Sequence, residues 1–312
     1  MADTSKPTST QTSAGPTDWL IFLLVPLFFS SNIIFGRGII GDVAPFITAF
    51  LRWLGSTLVM LPFIYADRHA SLTLLRRHFG LWLVLGFLGM GVCGGVVYWA
   101  LNFTTASNGT LIYTTSSLFI IVFQFLFSGR PIGGRELIGM AIAFVGVVVI
   151  VLRGDPAALL HLNFNIGDLG ILAAAIAFAI YSILLRQPAL KALKPLSLFG
   201  LIALSGALVL LPPAAYEFTH GGAVPDSAAD WWKIAGMVVF ASLAAFYCFQ
   251  HTVRVFGPAT AGVTLYLMPP LSIVMAVLFL GESFETYHAT GVVLVLGGVI
   301  LATARGRNAA KP

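Results

Sequence analysis

The sequence predicts an all-α integral membrane protein of ten transmembrane helices, arranged as two inverted five-helix repeats. Three observations predict it. Of the 312 residues, 58% are hydrophobic and only 9% are charged, against roughly 25% charged in ordinary soluble domains. So few charges cannot solvate a surface in water, so lipid must cover most of it. Apolar runs long enough to cross a bilayer, about 20 residues each, recur along the whole chain. The chain also matches itself at an offset near 150 residues.

The runs are 19–36, 45–65, 80–102, 107–127, 135–152, 167–186, 195–215, 231–253, 258–280 and 286–304. The first follows a Ser/Thr-rich polar stretch, 1–18, which reads as a disordered tail. No basic stretch and small-residue cleavage site lead into that run, which disfavours a signal peptide. The second and seventh open on Pro45 and Pro195. The third carries Gly86, Gly89, Gly91, Gly94 and Gly95, which mark a loosened or closely packed helix. The fourth carries hydroxyls on one face, the fifth and tenth are Gly-rich, and Pro269-Pro270 interrupts the ninth. Pro269 and Pro270 are hinge candidates, because broken helices line carrier sites. Connections are short, and none is long enough to be a soluble domain.

Lys and Arg set the orientation. With the N-terminus in the cytoplasm, thirteen of the seventeen fall on the inner side, and only Arg37, Arg153 and Lys233 on the outer. Arg52 lies within the second run. Both termini are therefore expected in the cytoplasm. An offset of 152 places Gly129 on Gly281, Gly139 on Gly291, Gly146 on Gly298 and Arg153-Gly154 on Arg305-Gly306. An offset of 150 places Pro45 on Pro195 and Leu61-Pro62 on Leu211-Pro212. The division is 1–18 tail, 19–154 first repeat, 155–164 outer linker, 165–306 second repeat and 307–312 tail. Five helices is an odd number, so the second copy begins on the opposite face of the membrane. That symmetry underlies many alternating-access carriers, with the substrate near the midplane between the halves. Arg130 falls on Glu282 at the same offset, a sign change that fits the inversion.

Polar side chains in lipid must face protein or water. The fourth run aligns Ser107, Thr110, Thr114, Ser117 and Gln124 on one face, and the second aligns Thr48, Arg52 and Ser56 at spacings of four. These stripes read as a hydrated substrate path or as hydroxyl glue between helices. Arg52 lies about 10 Å into its helix at 1.5 Å per residue, placed either to meet a carboxylate or to tie down backbone carbonyls. Tyr98 with Asn102, and Tyr247 with His251, share faces at a spacing of four and point to a cavity. Tyr181 and Tyr266 join that aromatic set, while Trp19, Trp231 and Trp232 suit an interfacial belt.

No acidic residue lies deep in a run, and His251 is the only candidate for a proton relay. Facilitated or weakly coupled transport is therefore expected. Cys93 and Cys248 sit in apolar segments with no CxxC or Cys/His cluster, so no disulfide, metal or cofactor is expected. The basic residues sit in short loops, which speaks against nucleic acid and leaves the lipid bilayer and a small molecule as partners. The Gly-rich faces are compatible with a monomer or a weak homodimer.

Ser30-Ser31-Asn32, Pro45 followed by Arg52, and Pro269…Leu280-Gly281-Glu282…Gly291…Gly297-Gly298 resemble the EamA repeats of the drug/metabolite transporter superfamily. The resemblance covers about 19–306 and is greatest to bacterial YddG-type exporters. It implies a bacterial inner-membrane exporter of aromatic or other neutral amino acids and related metabolites, with Asn32 and Arg52 beside a central cavity. In the first repeat Ser117 stands where the second has Pro269, and Arg130 where it has Glu282. Carriers of phosphorylated or nucleotide sugars, or of drugs, are the alternative. They want several cavity cations, and only Arg52 is present. A channel leaves the inverted repeat unexplained, and an intramembrane enzyme would rest on Ser205 and His251 alone.

Overall fold

The computed structural model describes residues 14–39, 41–104, 109, 112–129, 131–155, 157, 165–280 and 284–303. Ser107, Thr110, Arg130, Gly281, Glu282, most of the linker, most of the first tail and all of the second lie outside the described residues. The regular elements among the described residues are all helices. The elements are α1 (Pro16–Ile39), α2 (Pro45–Ala66), the short α3 (Arg68–Arg77), α4 (Phe79–Ala100), α5 (Ser116–Ser128), α6 (Gly134–Val151), α7 (Ile166–Leu184) and α8 (Pro195–Thr219). They continue with α9 (Ala228–Phe256), α10 (Pro258–Val263), α11 (Met268–Leu280) and α12 (Thr286–Thr303). Seven of them (α2, α4, α6, α7, α8, α9 and α12) are long and apolar enough to cross a membrane, and a shorter apolar helix covers Ile112–Phe127. The expected first span corresponds to the 24-residue α1. The ninth corresponds to α10 and α11, joined by a 3₁₀ turn over Thr264–Leu267. Pro269 and Pro270 sit at the start of α11, where missing N–H groups do the least harm.

Large apolar side chains face outward, among them Trp232, Phe127, Leu278 and Val293. A water-facing surface would not carry so many, and lipid covers them at no penalty. Inside, small residues bring backbones together. In α6 and α12 an added Cβ at Gly139 would lie 2.6 Å from the Gly298 carbonyl oxygen, and one at Gly146 2.8 Å from that of Gly291. The repeat offset exchanges these two contacts, so the equivalent helices pack antiparallel about a common centre.

α2 and α8, also equivalent, obey the same rule through their ends. Both begin at proline, and their first N–H groups have no partner within the helix. The Glu217 carboxylate of α8 accepts from Phe46 N and Ile47 N, each at 2.9 Å. At the other end Asp67 accepts from Lys194 N at 3.0 Å. Asp67 and Glu217 are 150 residues apart, so each repeat caps the other's helix with the same position. α4 and α9 share a further feature, a π-helical stretch after a glycine: Phe87–Val96 after Gly86, and Met237–Ala244 after Gly236. Such widened turns interrupt α-helices chiefly at functional sites.

Candidate functional site

Arg52 lies on α2 and is only 3% exposed. Its Nε donates to Ser242 Oγ at 2.5 Å and its Nη2 to the Ala241 carbonyl at 2.8 Å, both in the π stretch of α9. Its Nη1 donates to Tyr98 Oη at 2.8 Å and to Asn32 Oδ1 at 3.3 Å, on α4 and α1. Tyr98 Oη donates in turn to Asn32 Oδ1 at 2.7 Å. The guanidinium lies over the Trp53 ring, 4.6 Å from its centroid. One side chain thus joins four helices from both repeats. All of these hydrogen-bond acceptors are neutral: two hydroxyls, an amide and a carbonyl. A buried cation held only by neutral acceptors keeps its field, and a carboxylate is the ligand that best satisfies it.

Toward the end of the bundle where α1 begins, an aromatic layer underlies this knot. Phe246 meets Trp53 at 5.0 Å and Phe29 at 5.1 Å between ring centroids, and Phe178 meets Phe249 at 4.8 Å. Tyr181 belongs to this layer, fully buried, and accepts from Gln250 Nε2 at 3.0 Å. Tyr247 packs half-buried against the same core. Farther along, His251 Nε2 pairs with Asp18 Oδ1 at 2.8 Å, near the Trp19, Phe22 and Phe256 rings. Ser205 is elsewhere, buried against the Leu83 carbonyl at 3.5 Å, so it and His251 have different partners.

The hydroxyl stripes divide. Ser56 spends its hydroxyl on the Arg52 carbonyl at 2.9 Å, within its own helix. Ser117 donates to the Gly262 carbonyl at 2.7 Å and ties α5 to α10. Thr114 is buried on the same segment, and Tyr266 lies in a second core formed with α6 and α12. Thr48 and Asn102 line a recess of about 190 Å³ together with Tyr98, where α2 begins and α4 ends. Asn32, Arg52 and Tyr98 are therefore brought together, Thr48 and Asn102 stand next to them, and Ser117 and Tyr266 stand apart. Sequence reasoning missed Ser242, Gln250 and the Ala241 carbonyl. The two side chains are visible as polar residues in an apolar run, but the carbonyl is offered by the π turn and has no signature of its own.

A model of the EamA-like transporter family matches residues 18–152 and 165–304. This chain belongs to that family. It is a multi-pass integral membrane transporter built from two EamA repeats. The "uncharacterized transporter YetK" of Bacillus subtilis (strain 168) is 24% identical over 282 residues, covering 89% of this chain and 84% of that protein. An uncharacterized transporter of Clostridium kluyveri is 24% identical and covers 93% and 94%. A "probable terminal-alkyne amino-acid exporter" of Streptantibioticus cattleyicolor is 25% identical over 70% of this chain and 71% of its own. A solved protein structure, 20% identical, superposes with a TM-score of 0.74 over 93% of this chain and 98% of its own, and shows the same fold.

Proposed function

We propose that this transporter exports neutral amino acids and related small metabolites from the bacterial cytoplasm by alternating access between its two inverted repeats. Its termini lie in the cytoplasm, and it works as a monomer or weak homodimer. The observation that carries the reading is Arg52: a buried cation between the repeats, held by neutral groups alone, beside an open recess and above a closed aromatic layer. Acceptors on α1, α4 and α9 that release the guanidinium to a carboxylate would feel the exchange at once, which links occupancy to helix movement. The name of the Streptantibioticus relative supports the substrate class. The glycines of α6 and α12 are used inside the chain, which supports the monomer.

Uptake of radiolabelled amino acids into proteoliposomes tests the proposal, with wild type and Arg52→Ala compared. Saturable uptake of neutral amino acids, lost in a variant that remains monodisperse, is expected. Well-folded wild-type protein that moves no amino acid refutes the substrate class.

A further inference from the structure

We propose that the recess between the end of α6 and the start of α12 is a binding site for the phosphodiester headgroup of a membrane phospholipid. A membrane-spanning chain is all that this requires, and the substrate reading above plays no part in it. The recess has a volume of about 360 Å³ and is lined by Val149, Arg153, Gly154, Thr286, Tyr287 and Thr290. That size is within the range of small-molecule sites. α6 and α12 have 18 residues each. At 1.5 Å per residue they are about 27 Å long, close to the ~30 Å of a bilayer's hydrocarbon core. Residues just beyond their ends therefore lie at headgroup level.

Arg153 is the residue that points to a ligand. α6 ends in a turn closed by two hydrogen bonds, Arg153 N to the Ile150 carbonyl at 3.1 Å and Gly154 N to the Val149 carbonyl at 3.0 Å. This paired closure is usually made with glycine in the left-handed position. Here Arg153 holds that position, with φ 54°, and it is the one non-glycine residue of positive φ among the described residues. A Cβ is disfavoured in that conformation, and glycine would end the helix with less strain. A strained residue held in place points to a use for its side chain. No internal use accounts for it: among the described residues the guanidinium has no hydrogen-bond or ion-pair partner, whereas Lys233 pairs with Asp42 and Asp230.

The surroundings specify the ligand. Gly154, at φ 75°, lets Tyr287 pack against the turn, since an added Cβ would lie 2.9 Å from the Tyr287 Cβ. The Thr290 hydroxyl donates to the Thr286 carbonyl at 3.2 Å, while the Thr286 and Tyr287 hydroxyls have no partner among the described residues. Two hydroxyls and a guanidinium are donors for a phosphate, which arginine grips with two parallel hydrogen bonds. From Thr290 an exposed stripe runs along α12 through Val293, Gly297 and Ile300, at spacings of three and four. An added Cβ at Gly297 would meet nothing within 4 Å, so the stripe has a notch in which an acyl chain can lie. A cation at headgroup level above an apolar groove matches a phosphate carried on acyl chains. Asp155 follows Arg153 by two residues and Glu285 precedes Thr286. These carboxylates oppose a net negative ligand, so the site reads the phosphate and not the net charge of the lipid.

Native mass spectrometry of the purified full chain tests the proposal, after delipidation and titration with phosphatidylethanolamine, phosphatidylglycerol or diacylglycerol, with thermal unfolding measured alongside. The two phospholipids are expected to bind and to raise Tm to similar extents, and diacylglycerol, which has no phosphate, to do neither. Arg153→Gly gives the turn the residue its backbone prefers. In phospholipid-free detergent it should unfold at or above the wild-type Tm, yet bind phosphatidylethanolamine about ten-fold more weakly, the value of one hydrogen bond to a charged group. These opposite movements separate loss of a ligand from loss of the fold. Lys191→Ala, which removes an exposed cation between α7 and α8, should change neither. Wild-type phospholipid affinity in Arg153→Gly, or diacylglycerol bound as tightly as phosphatidylethanolamine, overturns the proposal. A fall in the Tm of Arg153→Gly without phospholipid assigns Arg153 to the fold and overturns it as well. A lipid-free dimer that Arg153→Gly dissociates gives the recess to a second copy of the chain, with the same consequence.

Discussion

Arg52→Lys separates the guanidinium from its charge. In the wild type three nitrogens of one planar fork serve two sides at once, Ser242 and Ala241 on α9 and Tyr98 and Asn32 on α4 and α1. An ammonium is a single point with three donors, and it cannot reach both sides from one position. At least two of the four hydrogen bonds are therefore lost. Hydrogen bonds to charged groups are worth about 1.5–3 kcal/mol each, and local rearrangement recovers part of that. A loss of about 2–4 kcal/mol in stability is expected, which tryptophan fluorescence during thermal unfolding in detergent would register as a lower Tm. Loss of the two-pronged grip on a carboxylate should also raise the KM for amino-acid uptake by about ten-fold or more. The two readouts separate the roles. A lower Tm with an unchanged KM in the folded fraction would refute substrate contact and leave Arg52 as a structural clasp. Wild-type Tm and wild-type KM together would refute the whole account of the knot.

The glycine seam gives a matched pair of variants. A Cβ at Gly298 would lie 2.4 Å from Ala143 N and 2.5 Å from the Gly139 oxygen, whereas Gly297 meets nothing within 4 Å. Gly298→Leu should force α6 and α12 apart, lose about 1–3 kcal/mol or more and give a polydisperse elution profile, while Gly297→Leu elutes as wild type. Asp67→Ala and Glu217→Ala should each cost about 0.5–2 kcal/mol as lost helix caps, and their effects on Tm should add, because they act at opposite ends of the α2–α8 pair. His251→Ala removes a partly exposed pair with Asp18 and should change Tm little, because solvent screens such pairs. Uptake measured with and without an imposed pH gradient should differ only weakly, since a tightly coupled proton carrier needs a buried relay. A steep dependence would assign that relay to the chain.

The fold was legible because lipid reduces the sequence to a few physical demands. Apolar runs have to be about one bilayer long, and small residues have to stand where helices touch. Gly139, Gly146, Gly291 and Gly298 were readable as a repeat before their contacts were known, and the antiparallel α6–α12 seam uses all four. Arg52 was legible for the same reason, since a lone cation in an apolar run needs an explanation. The partners of Arg52 were not. Asn32 comes from the family resemblance and Tyr98 from its helical spacing to Asn102, but Ser242 sits nearly two hundred residues away on a π turn. No periodicity rule for an α-helix places it or the Ala241 carbonyl toward Arg52. Ser117 is expected in the cavity from its helical stripe and Tyr266 from an aromatic set; Ser117 meets α10, and Tyr266 lies in the second core. A stripe shows which residues avoid lipid and does not say which neighbour they meet.

The scaffold and the site obey different symmetries. Caps, seams and π stretches recur at an offset of 150 to 152, as two copies of one fold require. The site does not recur. At an offset of 150, Arg52 falls on Ile202, Tyr98 on Cys248, Asn32 on Ser182 and Thr48 on Leu198, while Ser242 falls on Val92. One repeat thus brings the cation, the phenol and the amide, and the other brings the π turn that receives the guanidinium. A symmetric pair of cations would repel across the midplane and hold a substrate equally from both sides. A single cation clasped by the opposite repeat sits at the junction that must rearrange if the halves rock. On the proposed reading, its release to a substrate carboxylate would change the contact between the repeats themselves, so binding and movement would be the same event.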